Sequence, residues 1–375
     1  MKPPLRLPWT YEAEAGPNTV GIEEEVMLLS PRTWALANRI ETIIPRLPEA
    51  LASQMTAETH GSAIELKSTV HRNATGAVAE LRELRQALIR LIEPLDLRAA
   101  AAGTHPFAVW QEIVVSEGDR YEFVHGSMRA LARREPTFAL HVHVGVADPE
   151  TAIRVYNRMR AHLPLLLALS ANSPYWQGRD TGLASARTPL FQAFPRVGIP
   201  RPFHNYRQYE EQVEILVDTE AIPDGSFLWW DIRPQPDIGT LEIRTMDAQT
   251  TPEDTAALVA LTQTLVALET HEGYVSAETV DAQEVISENR FIAARDGARA
   301  ELVDVDRRRR VPVRGIVEEL LPRCRPYAED LGCADELDDI TRLLEHPPAE
   351  RQKEKAGQAI NLAGLVKDLA SRFSG

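Results

Sequence analysis

In the run Thr19-Val20-Gly21-Ile22-Glu23-Glu24-Glu25-Val26-Met27-Leu28-Leu29, three consecutive carboxylates interrupt a stretch that is otherwise β-prone and apolar. Side chains alternate along a strand, so Glu23 and Glu25 share one face and Glu24 takes the other. Two carboxylates side by side, flanked by Val, Ile and Leu, must raise one pKa or hold a cation between them. A divalent metal is the remedy that suits such a pair. A half-exposed strand with a polar face is the competing reading.

The same interruption recurs three times. In 54–69 two short extended pieces meet at His60-Gly61-Ser62, a hairpin turn that can bring Glu58 and Glu65 to one face. In 137–146 strict alternation sets His141 and His143 opposite Leu140, Val142 and Val144. In 239–246 Glu242 and Arg244 share a face between Leu241 and Ile243. Taken singly, each has an ordinary explanation as a solvated strand face or an incidental pair of histidines. Their repetition at the centres of four strands predicts an antiparallel sheet with one polar, concave face. The apolar face would be buried against helices.

Several carboxylates with few imidazoles suit Mg2+ or Mn2+, whereas the His-x-His pair alone leans towards zinc or copper. Metals and arginines on one sheet face are what phosphate chemistry on ATP requires. The sequence holds no GxxxxGK[ST], HExxH, GxSxG or GxGxxG motif, and Gly16-Pro17-Asn18-Thr19-Val20-Gly21 runs into Ile22-Glu23 rather than Lys-Ser/Thr.

Helical periodicity predicts the elements that must carry these strands. Val78, Leu81, Leu84, Leu88 and Ile92 mark a helix over 74–92, and further helices are expected over 120–132, 151–171 and 206–217. Regular pattern lapses over 172–202, a stretch rich in Gly, Pro, Arg and aromatics, of a length that usually carries function. A strand is expected over 227–232, then a proline-rich connection over 233–237. From Thr251 the chain reads helical to its end: 253–271, 282–295, 313–328, 335–345 and 356–373, with Arg307 to Arg310 as a solvated basic turn. We expect one catalytic domain over 1–375, sheet-rich over about 19–250 and helical over about 251–375.

With 375 residues, 44% hydrophobic and 26% charged, the chain can bury a large core. A formal net charge of -14 argues against nucleic acid or an anionic membrane as partner, because phosphate backbones are held by clustered Lys and Arg. The two cysteines, Cys324 and Cys333, make no disulfide framework, and 1–8 is proline-broken without an apolar run of signal-peptide length. A cytoplasmic protein acting on small molecules is expected. An exposed sheet edge or helix would make a homodimer reasonable.

The segments Gly21-Ile22-Glu23-Glu24-Glu25, Leu140-His141-Val142-His143-Val144-Gly145, Ser173-Pro174-Tyr175-Trp176 through Arg187, Leu241-Glu242-Ile243-Arg244-Thr245-Met246-Asp247 and Glu288-Asn289-Arg290-Phe291 occur in this order. As a set they resemble the carboxylate-amine ligases of the glutamate-cysteine ligase type 2 family. The resemblance implies an α+β fold like the glutamine synthetase catalytic domain, a curved, mainly antiparallel sheet with helices on its convex side. It further implies an ATP-dependent ligase forming γ-glutamylcysteine, ADP and phosphate through an acyl phosphate. Glu23, Glu25, Glu58, Glu65, His141 and Glu242 would hold Mg2+ or Mn2+, and Arg244 would contact the transferring phosphoryl group. Glu25 would also belong to the catalytic set, and His143, Arg179, Arg187 and Arg290 would contact substrate or ATP. Two other readings keep the scaffold: phosphotransfer to a guanidino nitrogen, and non-catalytic binding of ATP and metal.

Overall fold

The structure, a computed structural model, describes residues 7–11, 16–129, 131 and 136–375. Among the described residues seven strands form the central sheet: β1 (Val20–Leu29), β2 (Met55–Ala57), β3 (Ala63–Lys67), β4 (Arg98–Ala100), β5 (Ala139–Gly145), β6 (Ile232–Gln235) and β7 (Thr240–Asp247). Their order is β6-β7-β5-β1-β3-β2, with β4 beside the far end of β1. Every pairing is antiparallel. The hairpin expected near His60 joins β2 to β3 and sets Glu65 opposite Thr56.

The helices of ten residues or more are α1 (Ala74–Ile92), α2 (Asp119–Met128), α3 (Pro149–Ser170), α4 (Tyr206–Asp218), α5 (Pro252–His271), α6 (Gln283–Asp296), α7 (Val313–Leu331) and α8 (Leu362–Arg372). Short polar residues start five of them by accepting a free backbone N–H: Asn73 for α1, Asn205 for α4, Asn361 for α8, Asp148 for α3 and Thr251 for α5. Proline follows the last two caps, where its missing N–H costs nothing. Helix α5 is buried on every side but Glu253 and the final turn, and packs against α1, α3 and α7. The convex face of the sheet supplies Ile22, Ile64, Leu66, Leu140, Val142, Val144, Leu241 and Ile243 to the same core, each at most 1% exposed.

Glu24 points into that core. It meets Arg85 of α1, and both side chains are fully buried. The Arg85 guanidinium also donates to the carbonyls of Gln249, Thr250 and Phe373 and lies 4.5 Å over the Phe373 ring. One residue thus ties the carboxylate-bearing strand to the turn before α5 and to the end of the chain.

Three expectations need correction. Ile232–Gln235, read as part strand and part linker, is the edge strand of the sheet; Pro234 fits there because an edge leaves one side without ladder bonds. Of the strand expected over 227–232, only Trp229–Trp230 precedes it, pairing in parallel with Val197–Gly198. The region after 251 is not wholly helical, since Glu301–Asp304 and Arg309–Pro312 form a hairpin with Arg307 and Arg308 at its turn. The helix expected over 120–132 is described as Asp119–Met128, and residues 130 and 132 lie outside the described residues. Cys324 and Cys333 are separate buried thiols, pushed by burial up to about 12 and about 11. Among the described residues no helix is long and apolar enough to cross a membrane.

Candidate active site

Cross-strand register builds the polar face. Glu23 lies between His141 on β5 and Lys67 on β3, Glu25 lies opposite Glu65, and Glu242 lies between His143 on β5 and Arg233 on β6. On β7 the register slips between Ile243 and Met246, so Arg244 and Thr245 together face His141. The bulge is pinned from both sides. Its Arg244 N–H donates to the Asp231 carbonyl at 2.7 Å, and the Arg187 guanidinium donates to the carbonyls of Arg244 and Thr245 at 3.1 and 3.2 Å.

Above this floor is a cavity of about 450 Å³, lined by Glu23, Glu25, Glu58, Glu65, Lys67, His141, Arg187, Arg233 and Arg244, with Tyr121, Val124 and Met128 of α2 and Phe191, Phe194 and Trp229 on its walls. A second cavity of about 250 Å³ shares Glu23 and Lys67 with the first and includes His143, Tyr11 and Ile238. His141 Nδ1 is 3.2 Å from Glu23, and its Nε2 is 3.9 Å from Glu25. Lys67 Nζ is 2.6 Å from Glu65 and 3.7 Å from Glu23. Glu25 accepts the Ala139 N–H at 2.7 Å, and Glu58 accepts that of Thr59 at 3.0 Å.

Crowding drives the carboxyl groups apart in acidity. Burial, and then the charge of Glu58, push Glu25 up to about 8 against the opposing pull of Arg187. Burial also raises Glu58, and raises Glu65 well above the ordinary range with help from the charges of Glu23 and Glu58. For Glu23 burial is overcome by hydrogen bonds to His141 and His143, which hold it well below. Glu242 overcomes its burial through Arg233 and Arg244, and is also held low. Burial, and then Arg244, push His141 down to about 4, so its imidazole is neutral at pH 7.

These residues fit a divalent cation. Among the described residues, Glu23, His141 and Glu242 form one group, and Glu25, Glu65 and His141 another, whose donor atoms lie within 4.8 Å of one another. The buried His141 Nε2 has no hydrogen-bond partner among the described residues, and a neutral imidazole beside paired carboxylates is a metal-binding set. A pH effect follows for the metal-free protein. Between pH 7 and 9 the folded chain sheds the proton of Glu25, which the unfolded chain lost near pH ~4.3. The folded state therefore binds more protons and loses stability as pH rises through about 8. Glu23, Glu242 and His141 do not titrate in this window, and the raised His143 acts with the same sign. The thermal midpoint should fall by about 2 °C from pH 7 to pH 9, and saturating Mg2+ should remove the fall.

Of the residues expected at the site, Glu23, Glu25, Glu58, Glu65, His141, Arg187 and Arg244 line one cavity. Glu242 lies beneath its floor, fully buried, accepting from Arg233 at 2.5 Å and also from Arg244 and Gln235. His143 faces the neighbouring cavity and meets Thr240 at 3.1 Å. Two residues are not brought in. Arg179 stands exposed on the small hairpin of Tyr175–Trp176 and Arg179–Asp180. Arg290 on α6 holds Asp231 with two hydrogen bonds, at 2.5 and 3.2 Å, and Gln192 with a third. Its guanidinium is thereby spent behind the bulge rather than in the cavity. Sequence reasoning missed Lys67 and Arg233. The first shares a strand face with Glu65 two residues earlier, which was a usable signal, and the second lay in a stretch taken for a linker.

Known proteins share this architecture. The chain is similar to a bifunctional glutathione synthetase from Pasteurella multocida, with a TM-score of 0.72 at 13% identity over 96% of this chain and 52% of that one. It is also similar to a glutamate--cysteine ligase from Francisella tularensis, solved in complex with AMP, with a TM-score of 0.69 at 14% identity over 96% and 88% of the two chains. The fold is the one these enzymes use.

Closer relatives narrow the class. Residues 19–362 match the family model described as glutamate-cysteine ligase family 2. The chain is 40% identical over 358 residues to "Putative glutamate--cysteine ligase 2-1" of Rubrobacter xylanophilus, covering 93% of each chain. It is 39% identical over 331 residues to a protein of the same family name from Solibacter usitatus, covering 88% of this chain and 86% of that one. The chain belongs to glutamate-cysteine ligase family 2, a family of ATP-dependent carboxylate-amine ligases that form carbon–nitrogen bonds.

Proposed function

We propose that the chain joins the γ-carboxylate of glutamate to the amine of cysteine, giving γ-glutamylcysteine, ADP and phosphate. A carboxylate oxygen attacks the terminal phosphorus of ATP, the bond to ADP breaks, and an acyl phosphate forms. The amine nitrogen then attacks the acyl carbon, the carbon–oxygen bond to phosphate breaks, and the ammonium loses one proton.

The side chains divide this work. The Arg244 guanidinium supplies positive charge where negative charge develops on the transferring phosphoryl group. Arg187 keeps the Arg244 backbone in place through its two carbonyl contacts. Glu58, a carboxylate whose proton affinity burial has raised, takes the proton from the amine. A Mg2+ or Mn2+ ion held by Glu25, Glu65 and His141 would neutralise the triphosphate. The observation that carries this reading is the convergence of four carboxylates, an unpartnered His141 Nε2 and the guanidinium of Arg244 on one cavity.

The test is a mass-spectrometric search for products from ATP, Mg2+, glutamate and a panel of amines that includes cysteine. γ-Glutamylcysteine with equimolar ADP is the expected result. A coupled product with another amine would replace cysteine as the acceptor, and a phosphorylated guanidino compound would replace ligation by phosphotransfer. Glu25→Gln, in protein that keeps its fold, should lose at least ~100-fold in Mg2+-dependent ADP release.

A further inference from the structure

Four carboxylates of the cavity, Glu23, Glu25, Glu58 and Glu65, are not answered by an arginine ion pair among the described residues. Glu242 already absorbs Arg233 and Arg244. The Arg187 guanidinium is directed to the bulge carbonyls and lies 3.9 Å from Asp247. Among the described residues that line the cavity the remaining cation is Lys67, the one lysine there.

Its position follows from strand geometry. Lys67 lies two residues beyond Glu65 on β3, hence on the same face, and its cross-strand partner on β1 is Glu23. Its ammonium reaches Glu65 at 2.6 Å and Glu23 at 3.7 Å. These carboxylates belong to different donor groups, Glu23 to the one with His141 and Glu242, Glu65 to the one with His141 and Glu25. The lysine therefore bridges the two places where a divalent ion could be held.

We propose that Lys67 is a resident cation of this site, standing between Glu23 and Glu65 where a divalent ion would otherwise bind, so that the chain holds one divalent ion fewer than its carboxylates would accept. This rests on the metal-and-triphosphate reading of the cavity. An ammonium within ion-pair distance of both carboxylates repels a divalent ion from them and answers part of their charge in its place. In the Glu25, Glu65 and His141 group Lys67 pairs with Glu65, while Glu25 and His141 stay free of it and keep the place for metal.

The test counts Mn2+ bound to nucleotide-free protein by electron paramagnetic resonance, for the wild type, Lys67→Gln and Lys67→Arg. Lys67→Gln should bind one more Mn2+ per chain than the wild type, and Lys67→Arg, which keeps the charge, the same number as the wild type. Equal numbers at equal affinity in wild type and Lys67→Gln overturn the role of Lys67 and leave the metal reading standing. Failure of both to bind Mn2+ overturns the metal reading, and the role of Lys67 with it. If the unrelieved carboxylates unfold metal-free Lys67→Gln, thermal melting serves instead. Mn2+ should then raise the midpoint of Lys67→Gln further than that of the wild type, and equal shifts overturn the proposal.

Discussion

Arg244→Met should lower turnover about 10³-fold while leaving the protein folded, because the side chain supplies charge to the reaction and little to the fold. Glu242, the carboxylate it touches, keeps both hydrogen bonds from Arg233 and one from Gln235 after the change. The bulge survives as well, since its contacts to Asp231 and Arg187 use backbone atoms of Arg244 and Thr245. The KM for ATP should move by less than about tenfold, the pattern of an interaction made mainly in the transition state. Turnover near that of the wild type with a large rise in KM would instead assign Arg244 to ground-state binding. Lys at this position should recover only part of the rate, because an ammonium cannot present the planar fork of donors.

The largest effect on stability is expected on the opposite face of the sheet, at Glu24 of β1. Arg85→Met leaves the Glu24 carboxylate in the core without its partner and removes the donor to three carbonyls. Breaking one half of a buried ion pair costs about 3–5 kcal/mol, read as a lower midpoint of urea unfolding. The double change Arg85→Met with Glu24→Leu should recover much of the loss, since no charge is then stranded. Full recovery is not expected, because Gln249, Thr250 and Phe373 still lack their donor. A single Arg85→Met variant as stable as the wild type would mean that Glu24 finds water or a proton in the folded state.

The parts of the fold that were legible in the sequence are those where periodicity is local. The α1 helix has the bounds that its apolar spacing and Asn73 imply. The alternation around Glu23 and His141 assigns each side chain to the face it takes. Elements whose signal depends on a distant neighbour were misread. Strand β6 holds Pro234 and gains its identity only by pairing with β7, and the hairpin of Glu301–Asp304 and Arg309–Pro312 is too short to show a period. The same division holds for charged residues. Arg290 stood in a segment shared with known ligases, yet its partner is Asp231, 59 positions away. Nothing near it in the sequence indicates that contact.

What the sequence by itself determined is the direction of each carboxylate. The backbone of a strand sends neighbouring side chains to opposite faces, so Glu23 and Glu25 had to part from Glu24 whatever the rest of the chain did. What only the tertiary structure decided is the company each one keeps. Strand register set Lys67 and His141 beside Glu23, a one-residue bulge set Arg244 against Glu242, and helix packing set Arg85 beneath Glu24. The physical reason is range: side-chain direction follows from two dihedral angles per residue, while a buried charge is answered only by groups that the fold carries in from elsewhere along the chain.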